Sequence, residues 1–584
     1  MSAQPRLVVS APSSGHGKTA IAVGLLAACV ARGIPAAGFK VGPDHTDAAY
    51  LGLAAGRPGR NLDPRLVGAQ RIAPLFAHGA SGAQLSVIEG AMGLFDSLTG
   101  QPEIDGTAAV AATLRAPVVL VVDVAAMGHS LAALVHGFRM FDEMVHLGGV
   151  VLNRVASPRH EQMLRTALDD IGMPVLGALR RGDLPNVLPA RSHGPVPVAH
   201  RTVEASRAVR RLGEAVLDGL DLERLMALAG SAPALPGPIW TPGDAVGEVF
   251  DQRPIVALAG GPGAPYTYVE TAELLTAAGA EVAVVDPLRD ESLPTGTRAL
   301  VVGAGLPEGY AEELSANRRL CNAVAKFAHD GWPVVAEGVA LPWLGRDFDG
   351  RPMCAVLDAS AVTGDQTVAG YREATAPTTS LLAPGGARIT GYKQHRAIMT
   401  PRAGAVPAWT WSGGNPEGFV WRQVHASQLG LHWAAAPEIA KRVVAAAIAG
   451  PAGVAGPAHP QPLPPLPIQV PLTPLVHDEP PTVSMPAAAL AAHGSPAPHD
   501  QQPYDQQPYE ETHDQGGPFA QPASPAMPHG PYAQPSGVPN GRPRPPAPGS
   551  GPAFGGPAAA ANPMPASGVA SVPDLSDTAD ITAS

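Results

Sequence analysis

The stretch APSSGHGKT, Ala11 to Thr19, stands between the apolar run LVVS and the Ala/Leu-rich run AIAVGLLAACV. Gly15 and Gly17 let the turn adopt left-handed backbone and turn its N–H groups outward. Lys18 and Thr19 open the helix that follows, adding a positive charge and a hydroxyl at the positive end of the helix dipole. Strand, Gly-rich turn and helix in that order read as a phosphate-binding loop, with Pro12 replacing the first Gly of the longer G-x-x-x-x-G-K-[ST] pattern. Such a loop belongs on a parallel sheet. The runs LVVS, AAGFKV, LSVIEG, PVVLVVD, GVVLNRV and MPVLGAL alternate with helical stretches from Arg6 to about Leu235. Several are apolar without alternation, as in strands covered on both faces. The expectation is a parallel α/β domain over residues 1–235.

SAPALPGPIWTPGD, from Ser231, breaks this pattern, so residues 236–252 read as a linker. PIVALAGG, VETAELLTAAG, EVAVVDPL, RALVVGAG and PVVAEGVA then predict a second α/β domain over 253–450. About half of the 66 prolines fall from Pro451 onward, where all seven Trp are already behind. Residues 451–584, with the tandem DQQPYDQQPY, cannot bury enough apolar surface to offset their ordering entropy and read as a disordered, acidic Pro-rich tail. That tail carries most of the formal charge of −11, which leaves a near-neutral folded body and argues against a nucleic-acid surface. Cys29, Cys321 and Cys354 have neither metal-ligand spacing nor an even-numbered framework, which suits a reducing compartment. No apolar run is long enough for a signal peptide or a membrane span. The expectation is a cytoplasmic protein with no membrane partner.

A nucleotide held by such a loop carries Mg²⁺, which needs oxygen ligands nearby. Thr19 is one. Asp44 in FKVGPDHTDAAY and Glu89 in VIEGAMGLFDS end predicted strands and are the carboxylate candidates. Asp47, three residues beyond Asp44, either joins them or caps the next helix. Lys40 is placed to reach a γ-phosphate. Asn153, closing GVVLNRV, either reads a base edge or forms a turn.

Taken in order, APSSGHGKT, FKVGPDHTD, VIEGAMGLFD, APVVLVVD, VVLNRV and PVLGALRR resemble the cobyrinic and hydrogenobyrinic acid a,c-diamide synthases, and the likeness continues through AAGAEVAVVDPLRDESLP, GRPMCAVLDA, GYREA and WAAAPEIAKRVV. The resemblance implies a P-loop synthetase domain, which uses ATP and Mg²⁺ to phosphorylate side-chain carboxylates of a corrin or related tetrapyrrole. A class I glutaminase-like domain follows it and supplies ammonia. It implies Gly15, His16, Gly17, Lys18 and Thr19 on the phosphates, Asn153 on adenine, Thr19, Asp44 and Glu89 on the metal, and Lys18, Lys40 and Asp47 in catalysis.

Departures from the family pattern cluster in the second half. The A-E-C-[GA]-G stretch holding the glutaminase nucleophile reads AEGVA, with Gly338 for Cys. The A-S-Y-x-H-x-H stretch reads ASQLGLH, with Gly430 for the activating His and Gln428 for Tyr, while GYKQH keeps His395 but has Lys393 for the acid. Cys354, in a strand-like run, and Cys321, on a helix, read as buried core thiols. Without nucleophile and base a domain of this kind does not hydrolyse glutamine. In the first half RSHGP keeps Arg191 but puts Ser192 where the family has His; His193, one place along, either substitutes in substrate binding or is a surface loop residue. The expected function is ATP-dependent amidation of the a- and c-carboxylates of cobyrinic or hydrogenobyrinic acid in cobalamin biosynthesis, with nitrogen from ammonia or an external glutaminase. A degenerate ATP-binding paralogue that regulates or partners an active synthase is the alternative, and a homodimer is an open oligomeric state.

Overall fold

A computed structural model describes residues 4–184, 188, 202–261, 264–306, 308–411, 416–451 and 484–485. Seven buried runs in the first half form β1 (Arg6–Ser10), β2 (Ala36–Val41), β3 (Arg60–Leu62), β4 (Leu85–Glu89), β5 (Val118–Asp123), β6 (Leu147–Val155) and β7 (Val175–Arg180). All pairs are parallel, in the order β3-β2-β4-β1-β5-β6-β7. Their continuous apolar character follows from burial on both faces. The chain leaves β1 for β2 on one side and later returns to β5 on the other, so the loops after β1, β2 and β4 converge at the carboxyl edge of the sheet, where open α/β sheets bind ligands.

Two helices fix those loops. Helix α1 (Lys18–Ala31) buries Ile21, Leu25 and Leu26 against the sheet. Its Gly24 lets the helix Thr202–Gly219 lie against it, since a Cβ there would sit 2.7 Å from the Leu212 carbonyl oxygen. Helix α2 (His45–Ala55) starts at Asp44, whose Oδ1 accepts from the Asp47 N–H at 2.8 Å, and stops at Gly56 with φ 65°.

The second half contains β8 (Ile255–Gly261), β9 (Ala264–Pro265), β10 (Glu281–Val285), β11 (Thr297–Val302), β12 (Val334–Glu337), β13 (Asp347–Phe348), β14 (Arg351–Pro352), β15 (Ser360–Thr375), β16 (Arg388–Thr400), β17 (Phe419–Trp421) and β18 (Val424–Ser427). One sheet runs β10-β8-β11-β12-β18-β17, parallel except for the edge strand β17. A further sheet, β14-β13-β15-β16, is built on the long antiparallel hairpin of β15 and β16. Sequence periodicity gives no sign of that hairpin, because a register shift between Thr363 and Val368 interrupts the alternation. Cys354 lies just past β14 rather than inside a strand, and all three cysteines are free and buried.

The stretch read as a linker contains a short helix, Pro242–Val246, started by Thr241, and is tied back by the Trp240 N–H donating to the Pro74 carbonyl at 3.2 Å. Within the stretch read as a tail, Ser484–Met485 pair antiparallel with β15. The two halves of the chain are joined through buried and half-buried polar contacts: Arg60 on β3 pairs with Glu270 at 2.7 Å and with Glu273, His78 reaches Glu273 at 3.1 Å, and the Tyr371 hydroxyl on β15 donates to Asp63 at 2.9 Å. Among the described residues no helix is long and apolar enough to cross a membrane.

Candidate active site

The phosphate loop follows directly from β1. Gly15 and Gly17 hold φ of 91° and 96°, a backbone that a side chain would strain. At Gly17 space is also short, because a Cβ would meet the Asn153 amide at 2.8 Å. His16 is clamped between: its carbonyl accepts from Asn153 Nδ2 at 2.9 Å, its Nδ1 accepts from the Asp123 N–H at 2.8 Å, and its Nε2 lies 3.1 Å from Ser13 Oγ. Asp123 and Asn153 stand opposite each other on β5 and β6. Asn153 is therefore a strand residue that props the loop rather than a turn former. Its buried Oδ1 has no hydrogen-bond partner among the described residues, which leaves an acceptor beside the loop.

Lys18 is 5% exposed and donates to the Ser13 carbonyl at 2.9 Å, curling over its own loop. Burial, with Lys40 close by, lowers its pKa to about 8. Lys40 and Glu89 face each other in register on β2 and β4. The Lys40 ammonium donates to Glu89 Oε1 and to the Gly90 carbonyl, both at 3.0 Å, and pairs with Asp47 Oδ2 at 2.9 Å. Thr19 Oγ1 donates to the same Glu89 oxygen at 2.5 Å, while Glu89 Oε2 is buried without a hydrogen-bond partner among the described residues. Burial and then repulsion from Asp47 raise the Glu89 carboxyl to about 7.

Thr19, Lys40, Asp47 and Glu89 are thus one cluster under the phosphate loop. Asp44 sits at the start of α2. Its carboxylate caps α2, and it lines a crevice toward the second half of the chain. Of the D-x-x-D pair the first Asp takes the cap, and its N3 neighbour turns inward to Lys40. Arg191 and His193 lie outside the described residues.

In the second half β12 runs into Gly338, φ 61°, and then into the helix Ala340–Leu344. This strand-turn-helix geometry would expose a nucleophile. No thiol is there. A Cβ on Gly338 would meet Ala304 Cα at 2.8 Å, and one on Gly430 would meet Ala304 Cβ at 2.7 Å, so Ala304 fills the space that two side chains would need. What remains is a crevice of about 30 Å³, also lined by Asp44, His45 and Tyr268. Cys321 and Cys354, at 1% and 3% exposure, belong to the hydrophobic core. His395 lies 3.0 Å from the Ala397 carbonyl and 3.2 Å from Gln428, and burial pushes it down to about 3, so it stays neutral at ordinary pH. Lys393 faces Glu417 at 3.8 Å and lies over the Trp411 ring. These residues form a buried polar core and not a nucleophile–base pair.

One arrangement had no counterpart in the sequence reading. The His45 ring stacks on Tyr268 at 4.2 Å, and Tyr268 stacks on His432 at 4.3 Å, which joins the start of α2 to the second half. The three rings come from positions 45, 268 and 432, so the pair of contacts is visible only in three dimensions.

Residues 7–196 match the CobQ/CobB/MinD/ParA nucleotide binding domain family. The hydrogenobyrinate a,c-diamide synthase of Streptomyces coelicolor is 49% identical over 474 residues, covering 76% of this chain and 97% of that protein. The protein of the same name from Thermobifida fusca is 44% identical over 459 residues, covering 76% and 96%. The cobyrinate a,c-diamide synthase of Gloeobacter violaceus is 37% identical over 445 residues, covering 75% and 96%.

Proposed function

The chain belongs to the hydrogenobyrinate and cobyrinate a,c-diamide synthase family, and from that premise we propose that it is a carbon–nitrogen ligase of cobalamin biosynthesis that amidates the a- and c-side-chain carboxylates of hydrogenobyrinate or cobyrinate at the expense of ATP. The observation that carries the reading is the phosphate loop with Lys18, Thr19, Lys40, Asp47 and Glu89 gathered beneath it. A carboxylate is too poor an electrophile for ammonia. Its oxygen attacks the γ-phosphorus with ADP leaving, and ammonia then attacks the acyl carbon with phosphate leaving. Lys18 and Lys40 offset the negative charge that gathers on the transferring group.

Thr19 Oγ1, Glu89 and Asp47, with Asp44 one turn away, are hard oxygen donors suited to Mg²⁺, and Glu89 Oε2, without a hydrogen-bond partner among the described residues, is a ready ligand atom. Bound with the nucleotide, Mg²⁺ would neutralise β- and γ-phosphate charge. Gly15, His16 and Gly17 present the loop to the phosphates, and Asn153 Oδ1 is the acceptor for the base. We assign the synthetase chemistry to residues 1–235 and propose that 253–450 keep the shape of a glutaminase without its reaction, since Ala304 occupies the space beside Gly338 and Gly430. The nitrogen donor is then free ammonia. A catalytically idle partner of another synthase is not favoured, because the relatives named as synthases are matched over nearly their whole length.

The full chain incubated with ATP, Mg²⁺ and hydrogenobyrinate or cobyrinate tests this by product mass. Amides are expected with ammonium and none with glutamine. Equal product from glutamine would overturn the nitrogen assignment, and no product from either would overturn the ligase reading.

A further inference from the structure

Beside α2 lies a cavity of about 320 Å³. One wall is the α2 surface of Ala48, Ala49, Gly52 and Leu53, and the facing wall is Thr267 and Tyr268 from the second half of the chain. The crevice at Gly338 shares two lining residues with this cavity, His45 and Tyr268, which are the stacked pair at 4.2 Å. On the far side of that pair the crevice is lined by Asp44 and Thr46, and the next residue, Asp47, pairs with Lys40 in the phosphate cluster. Cavity, ring pair and phosphate cluster therefore follow one another along the first turns of α2.

Among the described residues one polar atom of the cavity wall has no hydrogen-bond partner, and three more lie behind Tyr268, where His432 stacks. Thr267 Oγ1, both ring nitrogens of His432 and Glu270 Oε2 are buried with no hydrogen bond among the described residues, and His432 Nε2 lies 3.6 Å from Glu270 Oε2. Burying acceptors unsatisfied costs free energy unless a small donor molecule visits them. Ammonia carries three N–H donors and is about the size of water, so it fits both the chemistry and the narrow crevice. At the other end of the crevice Ala304 fills the room that side chains on Gly338 and Gly430 would need, so no nucleophile and base stand there to release nitrogen.

We propose that free ammonia reaches the acyl phosphate from solvent through the cavity beside α2, past the His45–Tyr268 ring pair. This rests on the ammonia reading above. The uncharged molecule is the one that passes, because a bare ammonium ion would lose its hydration in the crevice; its proton stays with bulk water at the mouth. Leu53, Thr267, His45 and Tyr268 are positioning residues in this scheme.

Ammonium-dependent amidation by Leu53→Trp, which fills the cavity, and Thr267→Val, which keeps the side chain's shape but removes its hydroxyl, tests the route. L53W should raise KM for ammonium roughly tenfold, with kcat at saturating ammonium and the Kd for ATP within about twofold of the parent. T267V should raise the same KM by a smaller factor while melting like the parent. An unchanged KM for ammonium in L53W overturns the route, and if L53W does not fold, an unchanged KM in T267V overturns it. Glutamine-driven activity in the parent chain would instead remove the ammonia reading, and the route with it.

Discussion

Glu89 serves several neighbours at once: one oxygen accepts from Thr19 and Lys40, the other is buried with no hydrogen bond among the described residues, and Asp47 stands near enough to raise its pKa. Such crowding of like charge is held in place by Lys40, which touches both acids. Lys18 is poised differently. Its ammonium already spends a hydrogen bond on the Ser13 carbonyl, so moving it onto a phosphate exchanges a neutral acceptor for a charged one. A charge-assisted bond of this kind contributes about 1.5–3 kcal/mol. Lys18→Ala should therefore weaken ATP binding by roughly 10–100-fold in calorimetry while leaving the melting temperature near that of the parent. Undiminished affinity would remove Lys18 from the nucleotide site. At this scale the sequence was legible where chemistry demands a residue type: Gly15, Gly17, Lys18, Thr19, Lys40 and Glu89 were all visible as candidates. Which of Asp44 and Asp47 caps α2 was not, because both satisfy the same spacing and only the direction of the first turn of α2 separates them.

Among the elements, β12 and the turn after it keep a strand-turn-helix frame with a glycine, not a thiol, at its bend. Glu337, at the end of β12, accepts from the Leu431 N–H at 3.1 Å and the Trp433 indole at 3.0 Å, so the loop that would carry the base is still anchored to the strand that would carry the nucleophile. Burial raises the Glu337 carboxyl to about 7. Gly338 and Gly430 then admit Ala304 between them. Restoring the two side chains alone should fail. Gly338→Cys with Gly430→His is expected to cost about 1–3 kcal/mol through overpacking and to yield no glutamine hydrolysis. Adding Ala304→Gly should recover most of the lost melting temperature; if the double variant hydrolyses glutamine unaided, Ala304 is not what closes the site. The replacement of the nucleophile could be read from AEGVA, but the filling of its space could not, since Ala304 belongs to the turn after β11, distant in sequence from both glycines.

Across the whole molecule, the two halves are held by buried polar contacts that no single segment announces. Arg60 on the edge strand β3 reaches Glu270 and Glu273, and Glu270 also faces His432 in the ring stack. Removing one partner of a buried ion pair leaves the other charge uncompensated, so Arg60→Ala should destabilise the chain by about 3–5 kcal/mol in urea unfolding. Burial opposes the charge on Glu273, but bonds from His78 and Arg60 prevail and hold its carboxyl down at about 2 against an ordinary 4.5. A depressed carboxylate stabilises the fold above the ordinary value and loses that contribution as pH falls, here between about 4.5 and 2. Parent protein should accordingly lose stability across that acid range more steeply than R60A, and parallel pH profiles would show that the contact does not couple the halves. The sequence by itself determined the parallel sheets, the phosphate loop and the family, because periodicity, glycine spacing and short motifs are local and written in consecutive residues. Only the tertiary structure decided which acid faces Lys40, what fills the space beside Gly338, and that His45, Tyr268 and His432 meet, because these depend on packing between segments whose separation along the chain carries no trace of their distance in space.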